Sequence, residues 1–284
     1  MENIVKVKTS DNQILHGLLT TPSQLTDRVM INIHGTASNF YIEDFLPVIA
    51  SELEKSAVAT LATNNRGANA LKGWEMGGAC EEIFEECLLD IDAWIEFAVA
   101  RGFKIIYLSG HSLGSEKVVY YMDRGQHKYK VTKVVLLGPS DSFGYEETSY
   151  GEKLHDLLQE AQSLVDQGKP EVFLTGEWIC HGKVLPQSAK SFLNFFSPNS
   201  ELSKTLPLRH NDKLVMYSNI KSPILVAISD NENDEYTVIP TNDALQLLKQ
   251  NNPVTQAVQI TRTDHCFTGK ESELAKIVAK FLQS

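Results

Sequence analysis

Long apolar runs are missing from this sequence. No stretch approaches the about 18 consecutive apolar residues that a membrane span needs, so no membrane partner is expected. Cysteine is scarce as well. Cys80, Cys87, Cys180 and Cys266 are its 4 cysteines, and no two form a Cys-x-x-Cys pair. That argues against a zinc ribbon or a disulfide framework and for reduced thiols. Positive charge is outweighed, with 26 Lys and Arg against 36 Asp and Glu, a net charge of −10. Such a surface repels phosphate backbones and anionic lipid, so nucleic acid is not an expected partner. Residues 1–8 lack the apolar segment of a secretory signal, and the expectation is a cytoplasmic protein. No internal repeat or low-complexity tract is present.

What remains is ordinary globular material. Hydrophobic residues make up 42% and charged residues 22%, which argues against disorder. A chain of 284 residues suits one α/β domain with a sizeable core. Runs rich in Val and Ile alternate with segments of helical period. Strands are expected at 4–7, 14–19, 29–33, 57–61, 104–108, 131–137, 224–228 and 257–260. Helices are expected at 45–53, 83–99, 112–122, 244–248 and 274–282. This alternation implies right-handed βαβ units and a mostly parallel sheet. Residues 139–222 break the rhythm and are richer in aromatics, with Trp178, Phe192, Phe195 and Phe196. Structureless loops of that length are rare, so the stretch reads as a lid inserted between two strands. The expected division is a core of residues 1–138 and 223–284 with a helical cap at 139–222.

The sharpest chemical signal is Gly110-His111-Ser112-Leu113-Gly114, between the strand KIIYLS and a helix. Gly-x-Ser-x-Gly in that context is a nucleophile elbow, with Ser112 in a strained turn and glycines where a Cβ would clash. The helix behind Ser112 presents unpaired N–H groups and a positive dipole end where an oxyanion would develop. His34-Gly35-Thr36 follows the strand VMINI, in a loop expected beside the elbow. The N–H groups of Leu113 and Thr36 are the expected oxyanion donors. His34 itself reads as structural.

A serine nucleophile needs a base. Of 8 histidines, His265 lies between the last strand and the last helix, where its loop would reach Ser112. His181 and His210 fall in the proposed lid and read as solvated. An acid to orient His265 should follow the strand ILVAI. Asp234 is the first choice there, Asp230 the second and Glu232 the third, with Glu235 also in the loop.

With Ser112, the acid and His265 in that order, the chain resembles the α/β-hydrolase superfamily over nearly its whole length. Asn65-Arg66-Gly67, GHSLG and DHCF resemble the serine-hydrolase branch that holds small carboxylesterases, acyl-peptide-cleaving enzymes and siderophore esterases. The segment FLNFFSP at 192–198 is similar to that esterase group. The resemblance implies an α/β-hydrolase fold: a mostly parallel eight-stranded sheet flanked by helices, with a cap after the sixth strand. It implies no metal and no organic cofactor, and a small-molecule ester or acyl compound as the substrate. Ser112 speaks against the branches whose nucleophile is a carboxylate. A serine esterase working through an acyl-enzyme is the leading expectation. A thioesterase or an amide hydrolase would use the same residues, and a non-catalytic binding module is the alternative of another class.

Overall fold

The computed structural model describes residues 1–68, 78–175, 178–180, 183–210, 214–230 and 236–284. The chain opens with β1 (Glu2–Lys8), β2 (Ile14–Thr20) and β3 (Arg28–Ile33), then α1 (Phe45–Glu54) and β4 (Ala59–Thr63). After 3-10 turns at Gly78–Cys80 and Phe84–Glu86 come α2 (Cys87–Ala100), β5 (Ile105–His111), α3 (Leu113–Arg124) and β6 (Val131–Leu137). The chain then leaves the sheet through α4 (Ser142–Tyr150), α5 (Lys153–Asp166), β7 (Trp178–Cys180), β8 (Lys183–Leu185), α6 (Ala189–Phe196), α7 (Glu201–Thr205) and α8 (Val215–Asn219). It returns with β9 (Ile224–Ser229), α9 (Thr241–Asn251), β10 (Thr255–Ile260) and α10 (Glu271–Gln283).

The main sheet has eight strands in the order β1-β2-β4-β3-β5-β6-β9-β10. β2 runs antiparallel to both of its neighbours, and the other pairs are parallel. The parallel strands are nearly continuous apolar runs because helices cover both faces. Alternation along β3 splits the core, sending Ile31 and Ile33 to one face and Met30 to the other. On the first face lie Trp94 and Ile91 of α2, Val118 and Tyr121 of α3, and Leu248 of α9. On the second, Phe45 and Ile49 of α1 meet Leu274 and Val278 of α10.

Among the described residues, the segment between β6 and β9 adds no strand to the main sheet. Its apolar side chains, Phe192, Phe195, Phe196 and Leu202 among them, join the cluster that contains α2 and α3. It is not wholly helical. The triplets Trp178–Cys180 and Lys183–Leu185 form a small antiparallel hairpin, as their aromatic and β-branched residues favour. α3 is buried along residues 113–122, between the sheet and this inserted segment.

Element ends moved for local reasons. The segment read as a strand at 57–61 is β4 at Ala59–Thr63, because Ala57 takes a positive φ of 52° in the turn after α1. The helix read from residue 83 begins at Cys87, after an extended Ile83 and a 3-10 turn. Among the described residues no helix is long and apolar enough to cross a membrane.

Candidate active site

β5 ends at His111 and α3 begins at Leu113, so the whole strand-to-helix turn is made by Ser112. It sits at φ 54°, ψ −128°, a conformation that costs a non-glycine residue of order 1–3 kcal/mol. The flanking glycines are required by contact. A Cβ on Gly110 would lie 2.2 Å from the Gly114 carbonyl oxygen, and one on Gly114 would lie 2.3 Å from that of Ile33. The turn is locked to β6, because the Ser112 N–H donates to the Leu137 carbonyl at 3.0 Å. Leu113 opens α3, so its own N–H has no intrahelical acceptor.

The loop after β3 lies against this turn. A Cβ on Gly35 would stand 2.9 Å from the Ser112 Cβ and 3.6 Å from its Oγ. Thr36, half-buried, is the next residue along that loop. His34 holds the loop in shape. Its Nδ1–H donates to the Gly35 carbonyl at 2.7 Å, and its Nε2 accepts the Asn65 N–H at 3.1 Å. That pattern needs a neutral ring. Burial, with Lys117 nearby, pushes the His34 pKa down to about 3. The structural role expected of His34 is therefore visible in its contacts.

His265 is brought to the same place from the far end of the chain. It is 3% exposed, and its ring lies beside Gly138, the residue after β6. A Cβ on Gly138 would stand 3.1 Å from the imidazole Cε1 and 3.2 Å from Nδ1. Gly138 has a φ of 49°. Ser112 and His265 thus meet the same short stretch, Leu137–Gly138, from two sides. Asp264 shapes the His265 loop by accepting the Cys266 and Thr268 N–H groups at 3.0 and 2.9 Å.

The candidate acids divide. Asp234, Glu232 and Glu235 lie at 231–235, outside the described residues. Asp230 is described, and its carboxylate is used by the backbone of the His265 loop. One oxygen accepts the Arg262 N–H at 2.6 Å and the other the Thr263 N–H at 3.2 Å. These bonds, Arg262 first, hold its pKa below the usual aspartate value. His181 also lies outside the described residues.

Several participants gave little sequence signal. His111, the variable residue of the elbow motif, donates from Nε2 to the His265 carbonyl at 3.1 Å, while its Nδ1 faces Glu43 at 3.7 Å. Gly138 could have been noticed as a glycine at the carboxyl end of a parallel strand. Tyr236 lies flat on the His265 ring at 3.9 Å. Behind the turn, Glu116 is fully buried on α3, where it accepts from the Ser140 and Ser142 hydroxyls and from the Ser142 N–H at 3.0 Å. Burial raises its pKa to about 8.

The Asn65-Arg66-Gly67 motif has a structural use. Arg66 forks onto Asp90, with Glu86 and Asp11 on its outer side. Asn65 Oδ1 accepts from Lys117 Nζ at 3.3 Å, and Lys117 pairs with buried Glu82 at 2.5 Å. This polar chain ties the loop after β4 to the nucleophile helix. Among the described residues no group of three or more His, Cys, Asp or Glu is placed to hold a metal ion.

A model of the family described as "Protein of unknown function (DUF1749)" matches residues 10–276. No curated protein sequence matches the chain. Among solved structures, Est1E from Butyrivibrio proteoclasticus is similar with a TM-score of 0.63 at 16% identity, over 99% of this chain and 97% of that one. The Pyrococcus furiosus esterase Pf2001 gives 0.62 at 18%, over 100% and 90%. The α/β hydrolase GrgF from Penicillium sp. sh18 gives 0.72 at 15%, over 100% and 98%. At these identities the likeness is one of fold, and that fold is the α/β-hydrolase fold.

Proposed function

Starting from the fact that this chain belongs to the DUF1749 family and has the α/β-hydrolase fold, we propose that it is a serine hydrolase that cleaves a small-molecule carboxylic ester. The observation that carries this reading is the Ser112 turn. A half-buried serine is held at φ 54° between a buried strand and a buried helix, with Gly35 against its Cβ and His265 across Gly138. Strain of this kind persists only where the surroundings over-determine it, and it clusters at reacting groups.

In the proposed reaction, Ser112 Oγ attacks the acyl carbon and its proton passes to His265. The negative charge that develops on the carbonyl oxygen is met by the N–H groups of Thr36 and Leu113, which need no reorganisation as the charge forms. His265 returns the proton to the leaving alcohol, and the acyl-enzyme forms on Ser112. Water, activated by the same imidazole, then releases the acid and restores the serine. Asp234 is assigned the role of holding the His265 tautomer. Residues 139–222 are assigned the role of a cap that shapes the acyl and alcohol pockets. No step calls for a metal or an organic cofactor. Similarity of fold to esterases supports an ester as substrate, and Est1E has been solved with ferulic acid bound.

A fluorophosphonate probe tests the reading directly. Wild-type protein should be labelled at Ser112 and Ser112→Ala should not, with the fold unchanged by circular dichroism. Turnover of a short p-nitrophenyl ester, set beside an acyl thioester and an amide, should favour the ester. An unlabelled wild type would sink the serine mechanism, and faster thioester turnover would move the substrate class.

A further inference from the structure

The His265 imidazole is part of a stack of three rings. Tyr236 lies on it at 3.9 Å between centroids with 16° between planes. Tyr145, from α4 of the inserted segment, stacks on Tyr236 at 5.6 Å and 11°. Tyr236 is fixed by its own backbone as well, since its carbonyl accepts the Asp141 N–H at 2.9 Å. Asp141 is held in turn. It accepts from the Gly144 and Arg209 N–H groups at 2.9 and 2.8 Å and pairs with the Arg209 guanidinium at 2.5 Å. A buried imidazole has two loose motions, rotation about χ1 and χ2, and hydrogen bonds within the ring plane limit the first better than the second. A flat ring at van der Waals distance blocks the tilt that those bonds leave open. A second ring behind it stops Tyr236 from yielding.

Resting on the serine-hydrolase reading above, we propose that Tyr236 is a positioning residue that keeps the His265 imidazole in the plane of proton transfer, backed by Tyr145 of the inserted segment. The role is assigned to the flat face of the Tyr236 ring.

The test uses the full-length protein with Tyr236→Phe, Tyr236→Leu and Tyr236→Ala. Labelling by a small fluorophosphonate reads His265-assisted attack without demanding much of the substrate pocket. Tyr236→Leu and Tyr236→Ala should be labelled at least about tenfold more slowly, and kcat on a short ester should fall alike with KM changed less than about twofold. Tyr236→Phe should keep both near wild type, because the ring remains. The His265 Cε1–H resonance should move downfield in the Leu and Ala variants as the ring current is lost, and stay in place in Tyr236→Phe. Wild-type labelling rates in a folded Tyr236→Leu would overturn the role, as would a Tyr236→Phe as slow as Tyr236→Ala. A wild type that the probe does not label fails the serine mechanism itself. That result is told apart from a failed stack, in which wild type and Tyr236→Leu are labelled equally.

Discussion

The imidazole of His111 donates from Nε2 to the carbonyl oxygen of His265 at 3.1 Å, tying the residue before the nucleophile to the backbone of its proposed base. The two rings are 4.9 Å apart. A base that delivers and recovers a proton needs its backbone fixed, because a misplacement of about 1 Å costs about a hundredfold in rate. His111→Phe keeps an aromatic ring beside Phe45 and Phe267 and deletes the donor. Steady-state kinetics on an activated ester should show kcat lower by about tenfold, with KM little changed. An unchanged kcat would remove His111 from the positioning of His265.

Gly138→Ala puts a methyl group into the imidazole's own space. The new Cβ would stand 3.1 Å from Cε1, on a backbone at φ 49°. The ring must tilt or the end of β6 must shift. A stability loss of about 1 kcal/mol is expected from the φ alone. The kinetic loss should be the larger effect, about a hundredfold in kcat. Thermal melting alongside fluorophosphonate labelling separates the two. Stability lost without any loss of labelling would place His265 away from the reacting serine.

The strand ends that carry this arrangement are legible in the sequence, and the features that are not have a common physical cause. Ser112, the His34-Gly35-Thr36 loop and His265 stand at strand ends that the sequence marks by apolar runs and glycines. Side chains that act across long separations leave no local pattern. His111 meets a backbone carbonyl 154 residues away, and Glu82 meets Lys117 35 residues on. The hairpin at Trp178–Leu185 is three residues a side, too short for its period to show against an insertion of helices. Glu116 and Lys117 are charged residues on α3 whose local sequence does not mark them as buried. Glu116 is covered by Ser140 and Ser142, just after β6, and Lys117 by Asn65 and Glu82.

The Lys117–Glu82 pair should therefore behave as a buried one. Both side chains are almost wholly removed from water, at 0% and 2% exposure. Lys117→Met leaves Glu82 without its cation, and a loss of about 3–5 kcal/mol in denaturant unfolding is expected. Adding Glu82→Gln to that variant should recover a large part, since the uncompensated charge is gone. Additive losses in the double variant would mean that the two groups are not coupled.

Glu146 gives a pH dependence with a defined sign. It is buried on α4, and burial raises its carboxyl pKa from the ordinary 4.5 to about 9. The folded protein therefore holds a proton that the unfolded chain releases above about pH 4.5. Its effect favours folding most at low pH, and that stability is lost as pH rises towards the folded value. The slope is at most about 1.4 kcal/mol per pH unit. Glu146→Gln mimics the protonated form and removes the dependence. The unfolding midpoint of the variant should match wild type near pH 5 and exceed it increasingly towards about pH 9. Parallel curves over that range would show that Glu146 ionises in the folded state without cost. Glu116, raised to about 8 by burial, should add a dependence of the same sign.

The acid assigned to His265 is tested by comparing Asp230, Glu232, Asp234 and Glu235. Asp230 spends its two oxygens on the Arg262 and Thr263 N–H groups, which fixes the chain leading to His265 rather than the imidazole. Asp230→Asn keeps one acceptor oxygen and replaces the other with an amide donor, so one of those two bonds is lost. Its kcat should fall by less than about tenfold, because the tautomer of His265 is untouched. Asp234→Asn should differ in kind. An amide in place of the orienting carboxylate stabilises the wrong tautomer and leaves the imidazolium unsupported, and a loss of about three to four decades in kcat with an unchanged fold is expected. Glu232→Gln and Glu235→Gln should stay near wild type, because neither is assigned a role at His265. The four variants, assayed with one activated ester at saturating concentration, decide the assignment. An inactive Asp230→Asn beside an active Asp234→Asn would transfer the role to Asp230 and would require its two backbone bonds to open in the working enzyme. Four active variants would leave no carboxylate in this loop to hold the imidazole, and His265 would then be oriented by its Tyr236 and Gly138 contacts without a third triad member.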